Sequence, residues 1–172
     1  PPTLVRLEPG TCPTCTVTLE KVAVIGRATD KELIPDYARL LQLRDGGFVV
    51  AGTGRTATPL LRYGRDGHYI GTVGKLGEGP GEYRSIQSLV RARGDSISLM
   101  GDRRITTIAV ATGRGRTEPI PFEAFYHTVL GDGRVVVNTM AQKDPSFALL
   151  GDRSAIVARF GAVQPPVVLP RQ

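Results

Sequence analysis

Gly77-Glu78-Gly79-Pro80-Gly81-Glu82-Tyr83 stands between two groups of short apolar runs. No other stretch of the chain packs three glycines and a proline so closely. It is not a nucleotide loop: no Gly-Lys-Ser/Thr follows, and no helix follows to present its N-terminus to a phosphate. A structural joint accounts for the same residues. Glycine admits positive φ at a tight crossing, Pro80 fixes one dihedral, and the Glu82 carboxylate can accept hydrogen bonds from nearby amides. Gly77, Gly79, Pro80, Gly81, Glu82 and Tyr83 are therefore assigned to the joint.

The runs on the two sides of the joint read as copies of one unit. Upstream, Tyr37–Leu43 is a strand, Asp45-Gly46 a turn and Gly47–Ala51 a second strand. Leu60–Tyr63 and His68–Val73 follow, joined by Arg65-Asp66-Gly67. Asp-Gly between alternating apolar runs is a strong hairpin signal. Downstream the order restarts, with strands at Ile86–Arg91, Ser96–Met100, Ile105–Val110 and Arg116–Ile120. A third copy comprises Phe125–Leu130, Arg134–Asn138, Phe147–Leu150 and Ala155–Phe160. The first turns of the copies, starting at Asp45, Gly94 and Asp132, lie 49 and 38 residues apart. Four strands per unit at that period predict β-propeller blades. A β-sandwich also spaces strands regularly, but has no reason to repeat this order three times. The expected fold is all-β: about three four-stranded antiparallel blades, near residues 37–76, 84–121 and 122–161, half of a six-bladed ring. Residues 1–16 form an extended Pro-rich segment ahead of this partial propeller (17–172), and Val17–Gly26 reads as one more strand.

Bulk properties narrow the function. Of 172 residues, 41% are apolar and 22% charged, ordinary for a globular chain. The 21 glycines and 13 prolines are dispersed as turn markers. No apolar run is long enough to span a membrane, and no secretory leader is legible. The start Pro1-Pro2-Thr3, without Met, reads as that of a mature or trimmed product. The net charge of +6 is mostly arginine, scattered at turns and not interleaved with aromatics, which argues for a solvated basic surface and against nucleic acid.

Cys12-Pro13-Thr14-Cys15 holds the only two cysteines. Zinc would need two further ligands. A thioredoxin-type motif would open a helix after a strand, and haem attachment would need His where Thr16 stands. A local disulfide or two unpaired thiols remain, with metal or redox use less favoured. No Ser-His-Asp arrangement follows from spacing.

The run from Ile70 through Gly74 and Gly77 to Gly79-Pro80-Gly81-Glu82-Tyr83 resembles the inter-blade segment of bacterial six-bladed propellers of the NHL-like type, whose pattern ends Gly-Pro-Gly-Glu-Phe. Tyr83 replaces the usual Phe. Gly94-Asp95-Ser96-Ile97-Ser98-Leu99-Met100-Gly101-Asp102 resembles that family's second strand, and Arg104-Ile105 the opening of its third. Cys12 and Cys15 ahead of Ile25-Gly26 resemble the start of some members. The resemblance covers roughly residues 12–160, and a whole ring needs about twice as many blades. The remainder would come from further C-terminal blades, for which Pro165–Pro170 is a candidate beginning, or from a second copy. Val17–Ile25 would be the extra outer strand that closes the ring.

In such a ring the first strand of each blade lines the central channel. Tyr37, Arg39, Gln87, Arg91, Tyr126 and His127 are thus the candidate ligand residues, with His127 alternatively a half-buried strand residue whose ring is satisfied. His68, on a hairpin, is expected to be exposed. Similar propellers include lactonases and lyases that hold calcium or zinc with several carboxylates and His; the presumed channel strands here carry no carboxylate. The expected function is a non-catalytic binding or scaffold module, without cofactor or metal, for a protein or a small polar ligand. The alternative is a metal-dependent hydrolase or lyase whose site is completed outside this chain. The family likeness implies a periplasmic or extracellular location.

Overall fold

The computed structural model describes residues 21–27, 30, 34–35, 37–54, 58–139 and 146–161. They form three four-stranded antiparallel sheets and one two-residue parallel pair. The first sheet holds β1 (Ala38–Gln42), β2 (Phe48–Gly52), β3 (Leu60–Tyr63) and β4 (Tyr69–Val73) in sequence order. The pair is β5 (Lys75–Leu76) with β6 (Glu82–Tyr83). The second sheet runs β7 (Ser88–Arg91), β8 (Ser96–Gly101), β9 (Arg104–Ala109) and β10 (Gly115–Pro119). The third runs β11 (His127–Val129), β12 (Val135–Asn138), β13 (Phe147–Leu150) and β14 (Ile156–Phe160), with one 3-10 turn at Asp152–Ser154. Each sheet is a meander, the form of a propeller blade. The first strands β1, β7 and β11 are neighbours, so the sheets fan out from a common inner side.

One local device closes two hairpins of the first sheet and recurs once in the third. After Leu43, Gly64 and Leu130 the chain turns through Asp-Gly, and the Asp Oδ1 accepts the N–H two residues on. The donors are Gly47 at 2.9 Å, His68 at 3.1 Å and Arg134 at 3.0 Å. The glycines Gly46, Gly67 and Gly133 take φ of 86°, 83° and 93°, which L-residues avoid. The β8–β9 hairpin instead uses Asp102 and Arg103, both at positive φ (48° and 56°), the two-residue turn whose twist matches the strands.

Period-2 alternation builds the core. In the second sheet Leu89, Leu99, Ile97 and Ile108 face the first sheet, where they meet Val49, Ala51, Leu60 and Val73. The other face presents Met100 and Ile105 to Val137, Ala148 and Leu150 of the third sheet. The outer face of the first sheet buries Val50, Leu61 and Tyr63, with Ile25 and Ile34 packed over them.

The joint is held by its own backbone and by Glu82. Gly77 N–H donates to Tyr83 O (3.0 Å), Glu82 N–H to Gly79 O (3.0 Å), and Gly79 N–H to Glu82 Oε2 (2.9 Å). Gly81, at φ 78°, lies so close to the Gly115 backbone that a Cβ would collide with it. Tyr83 is buried, and its hydroxyl donates to Val73 O (3.2 Å) and accepts Leu60 N–H (2.9 Å). The joint thus fastens the second sheet to β3 and β4 of the first.

The N-terminal strand expectation is corrected in part. Residues 21–26 carry no strand; they pass along the first sheet, where Val24 lies against Gly67. Val17–Glu20, Cys12, Cys15 and Pro165–Pro170 lie outside the described residues.

Candidate functional site

The candidate ligand residues divide by where the inner strands place them. Tyr37 precedes β1 and is 81% exposed, while its main-chain carbonyl accepts the Thr53 N–H (2.8 Å) and hydroxyl (3.0 Å). Arg39 is exposed on β1 and sets its guanidinium over the Tyr126 ring, 5.5 Å from the centroid. Exposed cation–π contacts of this kind are worth about 0.5–1 kcal/mol. Tyr126, 56% exposed, sits at the entry to β11. Asn138 holds that entry: its Oδ1 accepts Phe125 N–H (3.0 Å) and Tyr126 N–H (2.6 Å). Gln87 is half-buried ahead of β7, its N–H donated to Met100 O at 2.7 Å.

Arg91 and His127 do not belong with this group. Arg91 ends β7, four residues beyond Gln87, about 13 Å along an extended strand. His127 is only 6% exposed, and its ring enters the space between the second and third sheets. Nδ1 lies 3.0 Å from Ser88 Oγ and Nε2 2.9 Å from Ser98 Oγ. Ser88 Oγ also accepts the His127 backbone N–H at 3.4 Å. Each ring nitrogen thus faces a serine hydroxyl that can either donate or accept, so both are satisfied in either neutral tautomer. Burial lowers the His127 pKa to about 4, a hydrogen bond at Ser98 opposing the shift. The ring is neutral and satisfied, and a ligand at the exposed rim does not meet it. His127 is thereby withdrawn from the ligand set, for a reason written in Ser88 and Ser98 on β7 and β8.

His68 is exposed, with Nδ1 2.9 Å from Asp66 Oδ2 and Nε2 3.0 Å from Arg27 Nη1. The backbone and side-chain hydrogen bonds from His68 hold the Asp66 carboxyl below its usual range. Among the described residues no three His, Cys, Asp or Glu side chains converge as metal ligands would. Among those residues no helix is long and apolar enough to cross a membrane.

A second feature was not legible in the strand pattern. Between the second and third sheets, outward from His127, lies a cleft of about 380 Å³. Its walls are β9, β10 and the turns β7–β8, β11–β12 and β13–β14.

No family model matches the chain, and no curated protein matches it in sequence. Solved structures do match in fold. A candidate exported protein from Bacteroides fragilis superposes with a TM-score of 0.65 at 17% identity, over 80% of this chain and 41% of its own. A protein of unknown function from Bacteroides caccae does so with a TM-score of 0.50 at 17% identity, over 76% of this chain and 49% of its own. The chain thus spans less than half the length of either neighbour. At this identity the likeness concerns the fold alone.

Proposed function

We propose that this chain is an arc of a six-bladed, NHL-like propeller, exported to the periplasm or beyond, whose inner-strand rim binds a small acidic or polyhydroxylated ligand without transforming it. The observation that carries the reading is the pairing of Arg39 on β1 with Tyr126 at the entry to β11, beside the exposed Tyr37. A guanidinium donates in a planar fork to carboxylates and to vicinal hydroxyls. An aromatic face alongside it stacks on the apolar face of a sugar ring. The strands β1, β7 and β11 contribute no carboxylate that would repel an anion or hold a metal. Fold alone does not choose among functions, so the reading rests on this rim.

Thermal-shift measurements of the full chain against uronic acids, neutral disaccharides and small dicarboxylates test it. At least one acidic member should raise the melting temperature, and Arg39→Ala with Tyr126→Ala should abolish that rise. A panel without any hit, or a hit that survives the double substitution, overturns the proposal.

A further inference from the structure

We infer that the cleft between the second and third sheets is a second binding site, for a small organic anion with an apolar body. The cleft arises from the face that the second sheet turns toward the third. There the row Ser98–Thr107–Arg116 replaces the apolar side chains that fill the space further in. Sheets stacked about 10 Å apart leave a gap where such a row meets the opposing face. The volume of about 380 Å³ falls in the range of small-molecule sites.

The lining is amphipathic. Ile105, Val129, Val135 and Leu150 supply apolar surface, and Thr107 and Ser96 supply hydroxyls. Four arginines and three carboxylates line the cleft, and most neutralise one another. Arg134 pairs with Asp132 at 2.7 Å, and Arg116 with Glu118 at 3.4 Å. Glu118 also accepts the hydroxyl of buried Ser154 at 3.3 Å. Two guanidiniums, Arg93 and Arg153, have no ion pair among the described residues and stand at the cleft. They come from different turns, β7–β8 and β13–β14. Arg153 and Ser154 hold φ of 52° and 58°, a backbone state that costs non-glycine residues free energy. Ser154 is buried within this turn while Arg153 stays exposed. Asp152 is the one lining carboxylate without an ion pair. The local balance is therefore two unneutralised cations against one anion, over an apolar floor. A bare inorganic anion uses only the cations; an anion carrying a ring or short chain uses both.

The experiment is a ¹H–¹⁵N correlation titration of the full chain with phenyl phosphate, and in parallel with inorganic phosphate. Saturable shifts are expected at the amides of residues 93–96, 132–134 and 151–154, with phenyl phosphate binding more tightly. Arg93→Gln and Arg153→Gln should each weaken it about tenfold, the loss of one charge-assisted contact. Asp152→Asn should tighten it roughly threefold by removing a like charge. All three positions are exposed, and retained peak dispersion certifies their folding. The inference fails if no saturable shift appears up to about 20 mM, a ceiling for useful affinity. It fails too if the shifts map to Arg39 and Tyr126, or if the arginine substitutions leave the affinity unchanged. Equal affinity for inorganic phosphate removes the apolar body from the ligand. Shifts at the cleft amides and the response to Arg93 and Arg153 are read separately from those at the inner-strand rim, so the two sites fail independently.

Discussion

His127 lies between two serines that the chain supplies from 39 and 29 residues away. Its pKa of about 4 in the fold, against 6.5 for a free imidazole, makes it an acid-sensitive contact. Between those two values the unfolded chain binds a proton that the native state does not, so stability falls as pH is lowered through the window. The difference corresponds to roughly 3 kcal/mol. His127→Gln retains hydrogen bonding without a titrating group, so denaturation midpoints measured from pH 7 to pH 4 should fall less steeply in that variant. Identical slopes would place the acid sensitivity elsewhere. The sequence shows His127 on an inner strand beside Tyr126, and both a ligand role and a satisfied core role fit that. What decided between them is which face of the second sheet Ser88 and Ser98 occupy, a matter of register with a neighbouring sheet. The Arg39–Tyr126 contact is likewise made across sheets, whereas the arginine and tyrosine content of the inner strands is visible in the chain itself.

Hairpins and joint are the elements most legible from residues, because their causes are local. Asp45-Gly46, Asp66-Gly67 and Asp132-Gly133 each carry both the side chain that accepts the hydrogen bond and the glycine that takes positive φ. The cleft was not legible, since it is bounded by three turns that come together only when two sheets stack. The N-terminal residues 21–26 misled for a related reason. Their alternation is that of a strand, and Val24 and Ile25 do lie along the first sheet, yet without a ladder. The joint permits a direct test of how one sheet is fastened to the next. Tyr83→Phe keeps the ring in its buried site but removes the hydroxyl that meets Leu60 N–H and Val73 O. A buried donor left unpaired costs about 1–3 kcal/mol. Urea unfolding should show a loss of that size with an unchanged slope. No loss would mean that water replaces the hydroxyl and that the joint acts through backbone geometry alone.

At the scale of the whole molecule, the three sheets form an arc whose two ends differ in cover. At one end Ile25 and Ile34 shield part of the first sheet's outer face, while Leu40 stays 59% exposed. At the other, the far face of the third sheet sets Phe147 against Phe160, rings stacked at 5.6 Å and 18°, with Val136 and Leu149 on the same face. Both phenylalanines are more than 40% exposed. Apolar sheet faces of this kind are buried in stable proteins. The faces are complementary in kind: both are apolar faces of four-stranded sheets, and a sheet packed on each would continue the stacking seen within the arc. Two copies related by a twofold axis satisfy both ends at once, the third sheet of each resting on the first sheet of the other. The 172-residue chain is therefore expected to run by light scattering at twice its 18.4 kDa. Phe147→Asp with Phe160→Asp places two charges in that contact and should return it to the mass of one chain. A unsubstituted chain that is monodisperse at 18.4 kDa would show that the stacked phenylalanines tolerate water, and would remove the argument for ring closure drawn from these faces.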